Sequence, residues 1–406
     1  MVKTMYTHPW RWSFLIACMV LMSACNAGAT PPASIPIPTV LGFTADTTPE
    51  PTVEPTLVTA IPVESDADPQ TQHLLVATSG NVQFQRFGWE DGLSDRAHAG
   101  VALTEVDRIV VPDGGGADIL CDNFTVTPAP RGTNSIDTIC TQPTKQLGDR
   151  DGQQSSFPRG DDGLFIISPR ATNLLAPPAV LRWRDTGAEQ YRVRIYDMEE
   201  SESVWVKEDI PESMVAFPSD LTLIPERRYV LFVDDGELFS EDLDSTIDLS
   251  FRLLSHDAAA AVRQDVATIE QQMTESDRAN DEDVIAFAIA QRYLAENLMS
   301  DAIQTLEERV DADSQSPYIY LMLGDLYNRI ELARLSEPYY RTSEDLIAPD
   351  MSLEWQMQVA IGLGNVTLLN NQRDEAVTYF TTAHDLATEL GDDQWINYLD
   401  DLLQVL

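Results

Sequence analysis

The stretch 281–406 repeats itself at a spacing that few folds allow. Ile289-Ala290-x-x-Tyr293 returns 34 residues later as Leu323-Gly324-x-x-Tyr327, and after a further 40 as Leu363-Gly364-x-x-Thr367. A second helical signal follows each copy: Ala302 with Leu306, Ser336 with Tyr340, and Ala376 with Phe380 and Ala383. Self-similarity at this period is the mark of stacked supersecondary units. One helical hairpin cannot cover its own apolar face, so each draws its stability from its neighbours. The spacing predicts three hairpins closed by a capping helix over 393–406, where Trp395, Ile396, Leu399, Leu402 and Leu403 share one face.

These residues resemble tetratricopeptide (TPR) repeats. In that family a small residue lets antiparallel helices approach and an aromatic fills the space beside it. The departures are Thr367 for the tyrosine, Arg309 and Ser343 for the usual alanine, and six extra residues, 351–356, between the second and third copies. The resemblance implies a concave face for partners, carried here by Phe287, Gln291, Leu294, Tyr318, Leu321, Asp325, Asn328, Arg329, Ile361, Asn365, Leu368 and Leu369. A face mixing apolar groups with amides and a guanidinium suits an extended peptide or a partner helix, and several of these side chains can equally pack against the cap.

Ahead of the array, Val262, Val266, Ile269 and Met273 fall on one helical stripe, which predicts a connecting helix within 255–280. Before Ser255 the period is that of strands. Over 161–254 short apolar runs such as Val180-Leu181-Arg182-Trp183, Tyr191-Arg192-Val193-Arg194-Ile195, Tyr229-Val230-Leu231 and Ile247-Asp248-Leu249 alternate with turn signals, as in an antiparallel sandwich. Tyr191, Val193 and Ile195 should point inward and Arg192 and Arg194 outward. Trp183, then Leu223-Ile224-Pro225 before Tyr229, resembles a fibronectin type III domain, which implies a core tryptophan and a tyrosine corner. Glu226 stands where that family commonly has glycine.

A second β region spans 71–140, followed by a polar linker over 141–160. Asp113-Gly114-Gly115-Gly116 reads as a hairpin turn, with no lysine or helix signal to make it a phosphate cradle. Gly80-Asn81-Val82, Ala99-Gly100, Leu103, Asp107, Ile109, Val111 and Ala117-Asp118-Ile119-Leu120 resemble the periplasmic domain of FecR-like regulators. The fold class expected is multidomain β then α: two small β domains, FecR-like and fibronectin III-like, and then an α-helical TPR solenoid.

At the amino terminus, Lys3 and Arg11 precede an apolar run, Trp12 to Met22, about half the ~20 residues that span a bilayer as a helix. This is the pattern of a secretory signal. Leu21-Met22-Ser23-Ala24-Cys25 resembles the lipobox of bacterial lipoproteins. The resemblance implies removal of 1–24, lipidation of Cys25 by diacylglycerol, and a further acyl chain such as palmitate on its amine. Two or three chains anchor stably where one holds marginally. Over 25–70 the Pro/Thr-rich composition favours extended backbone and offers no core, as in a stalk. FecR-like family members that signal carry a transmembrane helix and a cytoplasmic segment, which a lipid anchor lacks, so from that resemblance only the fold and an envelope role carry over.

With 1–24 removed, 24 basic residues face 66 acidic ones. Such a chain is repelled by nucleic acid and by anionic head groups. Of four cysteines, Cys121 and Cys140 remain after Cys18 and Cys25 are assigned, and outside the cytoplasm they read as a disulfide. His73 and His98 show no metal-ligand spacing to them. No Walker loop, His-Glu-x-x-His, Cys-x-x-Cys or Gly-x-Ser-x-Gly is present, and Asp234-Asp235-Gly236 lacks EF-hand alternation. No catalytic residue, metal or cofactor is assigned. The function expected is a non-enzymatic, lipid-anchored scaffold on the outer face of a bacterial membrane that binds envelope or extracellular proteins or peptides. The alternative is a sensor or adhesin that binds a ligand or glycan through its β domains.

Overall fold

The computed structural model describes residues 72–90, 92–140, 163–240, 248–276 and 278–406. Residues 1–24, Cys25, the stalk and the linker therefore lie outside the described residues, as do Asp91, Asp277 and 241–247. All described residues belong to one compact unit. No described helix is long and apolar enough to cross a membrane.

The first β region is built from β1 (Gln72–Ser79), β2 (Gln83–Gln85), β3 (Asp95–Arg96), β4 (Ala102–Thr104), β5 (Arg108–Val111), β6 (Gly116–Leu120), β7 (Val126–Pro128) and β8 (Gly132–Ser135), and a single turn of helix, α1 (Ile136–Ile139). They form two sheets, ordered β4-β1-β6-β7 and β3-β2-β5-β8. Leu75, Val82, Phe84, Leu103, Ile109 and Ile119 are fully buried. Leu74, Leu75, Val76 and Ala77 are buried in succession, so both faces of β1 are covered. The glycine run is not a hairpin: β5 and β6 on either side of it belong to different sheets. Gly114 adopts φ +83°, and the Gly115 N–H donates to Pro112 O at 3.0 Å. A glycine at positive φ makes this tight turn possible, and the chain uses it to cross between layers. Cys121 and Cys140 are joined as a disulfide, tying the end of β6 to the end of α1.

The second β region has a five-stranded and a three-stranded sheet. β10 (Thr172–Leu174), β16 (Phe251–Leu253), β15 (Tyr229–Asp234), β12 (Tyr191–Asp197) and β13 (Glu202–Ile210) lie in that order, opposite β14 (Met214–Ala216), β11 (Val180–Trp183) and β9 (Ile166–Ser168). Tyr191, Val193 and Ile195 face the core as the alternation predicts, with Trp183 buried edge-on to Tyr191. The Tyr229 hydroxyl accepts from the Ile224 N–H at 3.0 Å, which is the corner bond expected of it. Glu226 holds φ +65°, the left-handed backbone that glycine adopts at no steric cost. Its carboxylate accepts from the Ser255 N–H at 2.6 Å, at the start of the first long helix. Of the run Ile247-Asp248-Leu249 expected as a strand, Ile247 lies outside the described residues and Asp248 and Leu249 are not in a strand; the last strand begins at Phe251.

The helices are α2 (His256–Glu275), then α3 (Glu282–Leu294) with α4 (Met299–Asp311), α5 (Pro317–Arg329) with α6 (Ala333–Leu346), α7 (Leu353–Leu369) with α8 (Arg373–Leu390), and α9 (Asp393–Val405). Each hairpin turns by the same device. Asn297, Glu331 and Asn371 adopt left-handed φ near +60°. The next residues, Leu298, Leu332 and Gln372, donate N–H bonds back to the carbonyls of Tyr293, Tyr327 and Thr367 at 2.8–2.9 Å. This six-to-one bond is the Schellman ending of a helix. Thr367 is thus the structural counterpart of the two tyrosines, and its hydroxyl donates to Leu363 O. A Cβ on Gly324 would sit 2.7 Å from the Tyr340 ring, and one on Gly364 2.6 Å from Phe380, so glycine sets the approach of paired helices. The fold class read from the sequence, β modules followed by a helical solenoid, is the fold observed.

The sandwich has its own core, whereas the first β region and the helical array share a continuous one. That continuity positions the candidate site.

Candidate functional site

The six extra residues between the second and third repeats lengthen α7 at its start, and this start meets the first β region. Asp95, buried at the head of β3, caps α7 from outside. Its carboxylate accepts from the Ser352 hydroxyl at 2.6 Å, the Leu353 N–H at 3.1 Å and the Glu354 N–H at 2.9 Å. An anion at a helix amino terminus satisfies orphan N–H groups and meets the positive end of the dipole. Ser352 caps the same helix from within, accepting from the Trp355 N–H.

Beside it, Arg86 donates two parallel bonds to Glu354, at 2.9 and 2.8 Å, and one to Asp107 at 2.7 Å. Such forked pairing is the strong form of the Arg–carboxylate contact. Burial alone pulls the Arg86 pKa down, but the Glu354 and Asp107 carboxylates more than reverse this and hold the guanidinium charged. A ladder of rings, Phe287, Tyr318, Trp355 and His98, runs from α3 into the β region with centroids 5.3–5.7 Å apart. Burial, and then the nearby Arg96 charge, lower the His98 pKa. Gly100 lies so close to Tyr318 that a Cβ there would come within 2.8 Å of the ring. Two further contacts, Trp89 Nε1 to Asp392 at 3.1 Å and Arg278 to Asp118, extend the seam.

Between the β region and the helices lies a recess of about 140 Å³. Seven of the residues assigned to the concave face line it: Phe287, Gln291, Leu294, Tyr318, Leu321, Asp325 and Arg329. Asn328, Ile361, Asn365, Leu368 and Leu369 do not, and are half-buried outside it. The first β region closes one side with Gln72, Arg86, Gly100 and Ala102, while α7 adds Glu354, Trp355 and Gln358. Phe287, Tyr318 and Leu321 are mostly covered, and Asp325 stays exposed while its carboxylate accepts from the Tyr340 hydroxyl at 2.7 Å. The face expected to be open to partners is therefore partly occupied by the chain's own first β region. Arg86, Asp95, Gly100 and Trp355 carry no repeat signal, and the inserted 351–356 is the one sequence feature that marks their meeting place.

The fold also brings His73 beside the disulfide, which sequence spacing does not suggest. A ring nitrogen of His73 and both sulfurs lie within 4.8 Å of one another.

No family model matches the chain, and no curated protein is similar to it. Among solved structures, MamA is 14% identical, with 37% of this chain and 95% of that one covered and a TM-score of 0.25. YrrB, described as a TPR protein with an unusual peptide-binding site, is 17% identical, with 37% and 80% covered and a TM-score of 0.25. A second MamA structure, from MSR-1, is 14% identical, with 37% and 90% covered and a TM-score of 0.24.

Proposed function

We propose that the chain is a non-enzymatic, lipid-anchored envelope protein that works as a protein-interaction scaffold. Residues 1–24 leave as a signal, Cys25 carries the fatty chains, and 25–70 hold the folded part away from the outer face of a bacterial membrane. The first β region is FecR-like in this reading, and with the helical array it presents the recess to an extended peptide or helix of another envelope protein. The observation that carries the reading is the convergence of seven concave-face residues from α3 and α5 on one recess with both apolar and polar walls. Apolar surface with a few fixed polar groups is the usual make-up of a recognition site.

The test has two arms. A photoreactive amino acid at Asp325, exposed at the recess, should capture a discrete partner in intact cells. The same group at Thr382, exposed on α8, should not. Equal capture at both positions contradicts the reading of the recess. Lipid labelling that persists in Cys25→Ala contradicts the reading of the anchor.

A further inference from the structure

We propose that a second recess, walled by the sandwich on one side and the helical array on the other, binds a tetrahedral oxyanion, phosphate or sulfate, either free or carried by a small soluble molecule. The recess has a volume of about 230 Å³. Arg228 just ahead of β15, Arg252 within β16 and Arg329 at the end of α5 all line it. Asp248 is the one carboxylate among the lining residues. This reverses the charge pattern of the chain, in which 26 basic side chains stand against 66 acidic ones. Three guanidiniums brought from three elements to one hollow repel each other, and an anion among them relieves that repulsion.

The two walls are fastened to each other by hydrogen bonds. The Asn173 N–H donates to Asn297 O at 2.8 Å, and its Nδ2 donates to Glu296 O at 2.6 Å. The Thr172 hydroxyl accepts from the Ser300 N–H at 3.1 Å, in the first turn of α4. Arg170, buried, donates to Ile330 O at 2.8 Å, just past the end of α5. Donors held in place before a ligand arrives lose little freedom when it binds. α4 opens here as well: Met299, its first residue, lines the recess, and its cap residue Leu298 makes no side-chain bond to it. The positive end of that helix adds to the pull of the guanidiniums.

The guanidiniums keep donors to offer. Arg252 uses Nε on Asn173 Oδ1 at 2.8 Å, and no described residue accepts from its two terminal nitrogens. Arg228 stands 3.7 Å from Glu199 and 3.6 Å from Asp248, ion pairs too long to be hydrogen bonds. Arg329 comes from the array side and lines the first recess too. The planar fork of a guanidinium matches the oxygens of phosphate and sulfate. Donors converging from three elements suit a group with oxygens in several directions, which a tetrahedral oxyanion has and a planar carboxylate lacks. Exposed charges beyond about 8 Å are largely screened at physiological ionic strength, so the lining outweighs the distant acids for a small ion. An anionic membrane surface meets a whole face of the chain and is repelled. Asp248 is the opposing group, and beside Arg228 it weakens anion binding.

The test is calorimetric titration of the full chain with inorganic phosphate, sulfate and acetate at fixed ionic strength. Phosphate or sulfate should saturate a single site, and acetate should bind about tenfold more weakly or less. Arg252→Gln and Arg228→Gln should each weaken binding about tenfold or more, the scale of a hydrogen bond to a charged group. Arg228, half exposed and with no hydrogen bond from its guanidinium to a described residue, can be replaced at little cost to the fold. Asp248→Asn keeps the Oδ1 that accepts from the Ser250 N–H at 3.0 Å and should tighten binding. None of these three residues lines the first recess, so the outcome is independent of the function proposed above. No saturable binding of phosphate or sulfate overturns the proposal, as does an affinity unchanged in Arg228→Gln, and acetate bound as tightly overturns the tetrahedral ligand. Phosphatidic acid vesicles should not capture the Cys25→Ala chain. Capture that Arg252→Gln abolishes would assign the site to a lipid headgroup and overturn the soluble ligand.

Discussion

Replacing Asp95 with alanine removes the acceptor for three donors at the start of α7 and for the Arg96 N–H. Losing a helix cap of this kind costs about 1 kcal/mol. The Ser352 hydroxyl, fully buried, is left without its acceptor, which adds about 1–3 kcal/mol. The expected loss is therefore about 2–4 kcal/mol, large beside the ~5–15 kcal/mol that holds a domain folded. Asp95→Asn keeps one carbonyl oxygen and should lose less. The control is Asp350→Ala, which breaks the exposed Arg96–Asp350 pair and should cost well under ~1 kcal/mol. Urea unfolding followed by helical circular dichroism reads all three, since a change in midpoint at constant slope is a change in stability. If Asp95→Ala unfolds within about 0.5 kcal/mol of wild type, as a surface change would, the claim that a β-region carboxylate holds α7 is refuted.

Arg86→Ala leaves Asp107 and Glu354 without their shared cation, and should destabilise by about 3–5 kcal/mol in the same urea assay. Arg86→Lys cannot form the fork and should restore only part of that. Gly364→Ala drives a Cβ into the Phe380 ring and should cost about 1–3 kcal/mol, read as a lower thermal midpoint with an unchanged fold. Asp301 is raised to about 6 by burial, which outweighs its backbone bond to Leu175. Its folded pKa exceeds its unfolded one, so its contribution to stability is full below about pH 4 and is lost as pH rises through 6. Asp301→Asn should match wild type near pH 4 and exceed it above pH 7, by at most about 3 kcal/mol, in unfolding measured across that range.

The repeats were legible because their determinants are local: small residues, aromatics and apolar stripes recur at fixed spacing along one segment. The inward set of β12 was legible for the same reason, through its alternation. The hairpin expected at Asp113–Gly116 was not what formed, because glycines announce a turn without saying which layer the next strand joins. The seam was hidden by distance. Asp95 and Ser352 are 257 residues apart, and nothing local to either encodes the other. The insertion at 351–356 was visible, yet its use depends on contact with a β region some 250 residues away in the chain. His73 reached the disulfide through the register of two strands, which the cysteine spacing does not contain.

The account rests on the first β region and the helical array behaving as one body around a shared recess. Native-state hydrogen exchange measures this directly, because it gives an opening free energy for each amide. Amides of Leu75 and Ile119 in the sheets and of Leu323 and Phe380 in the helices should open at the same free energy, and Arg86→Ala should lower all four together. Sheet amides that open well before the helical ones, and do not respond to Arg86→Ala in step with them, would contradict it.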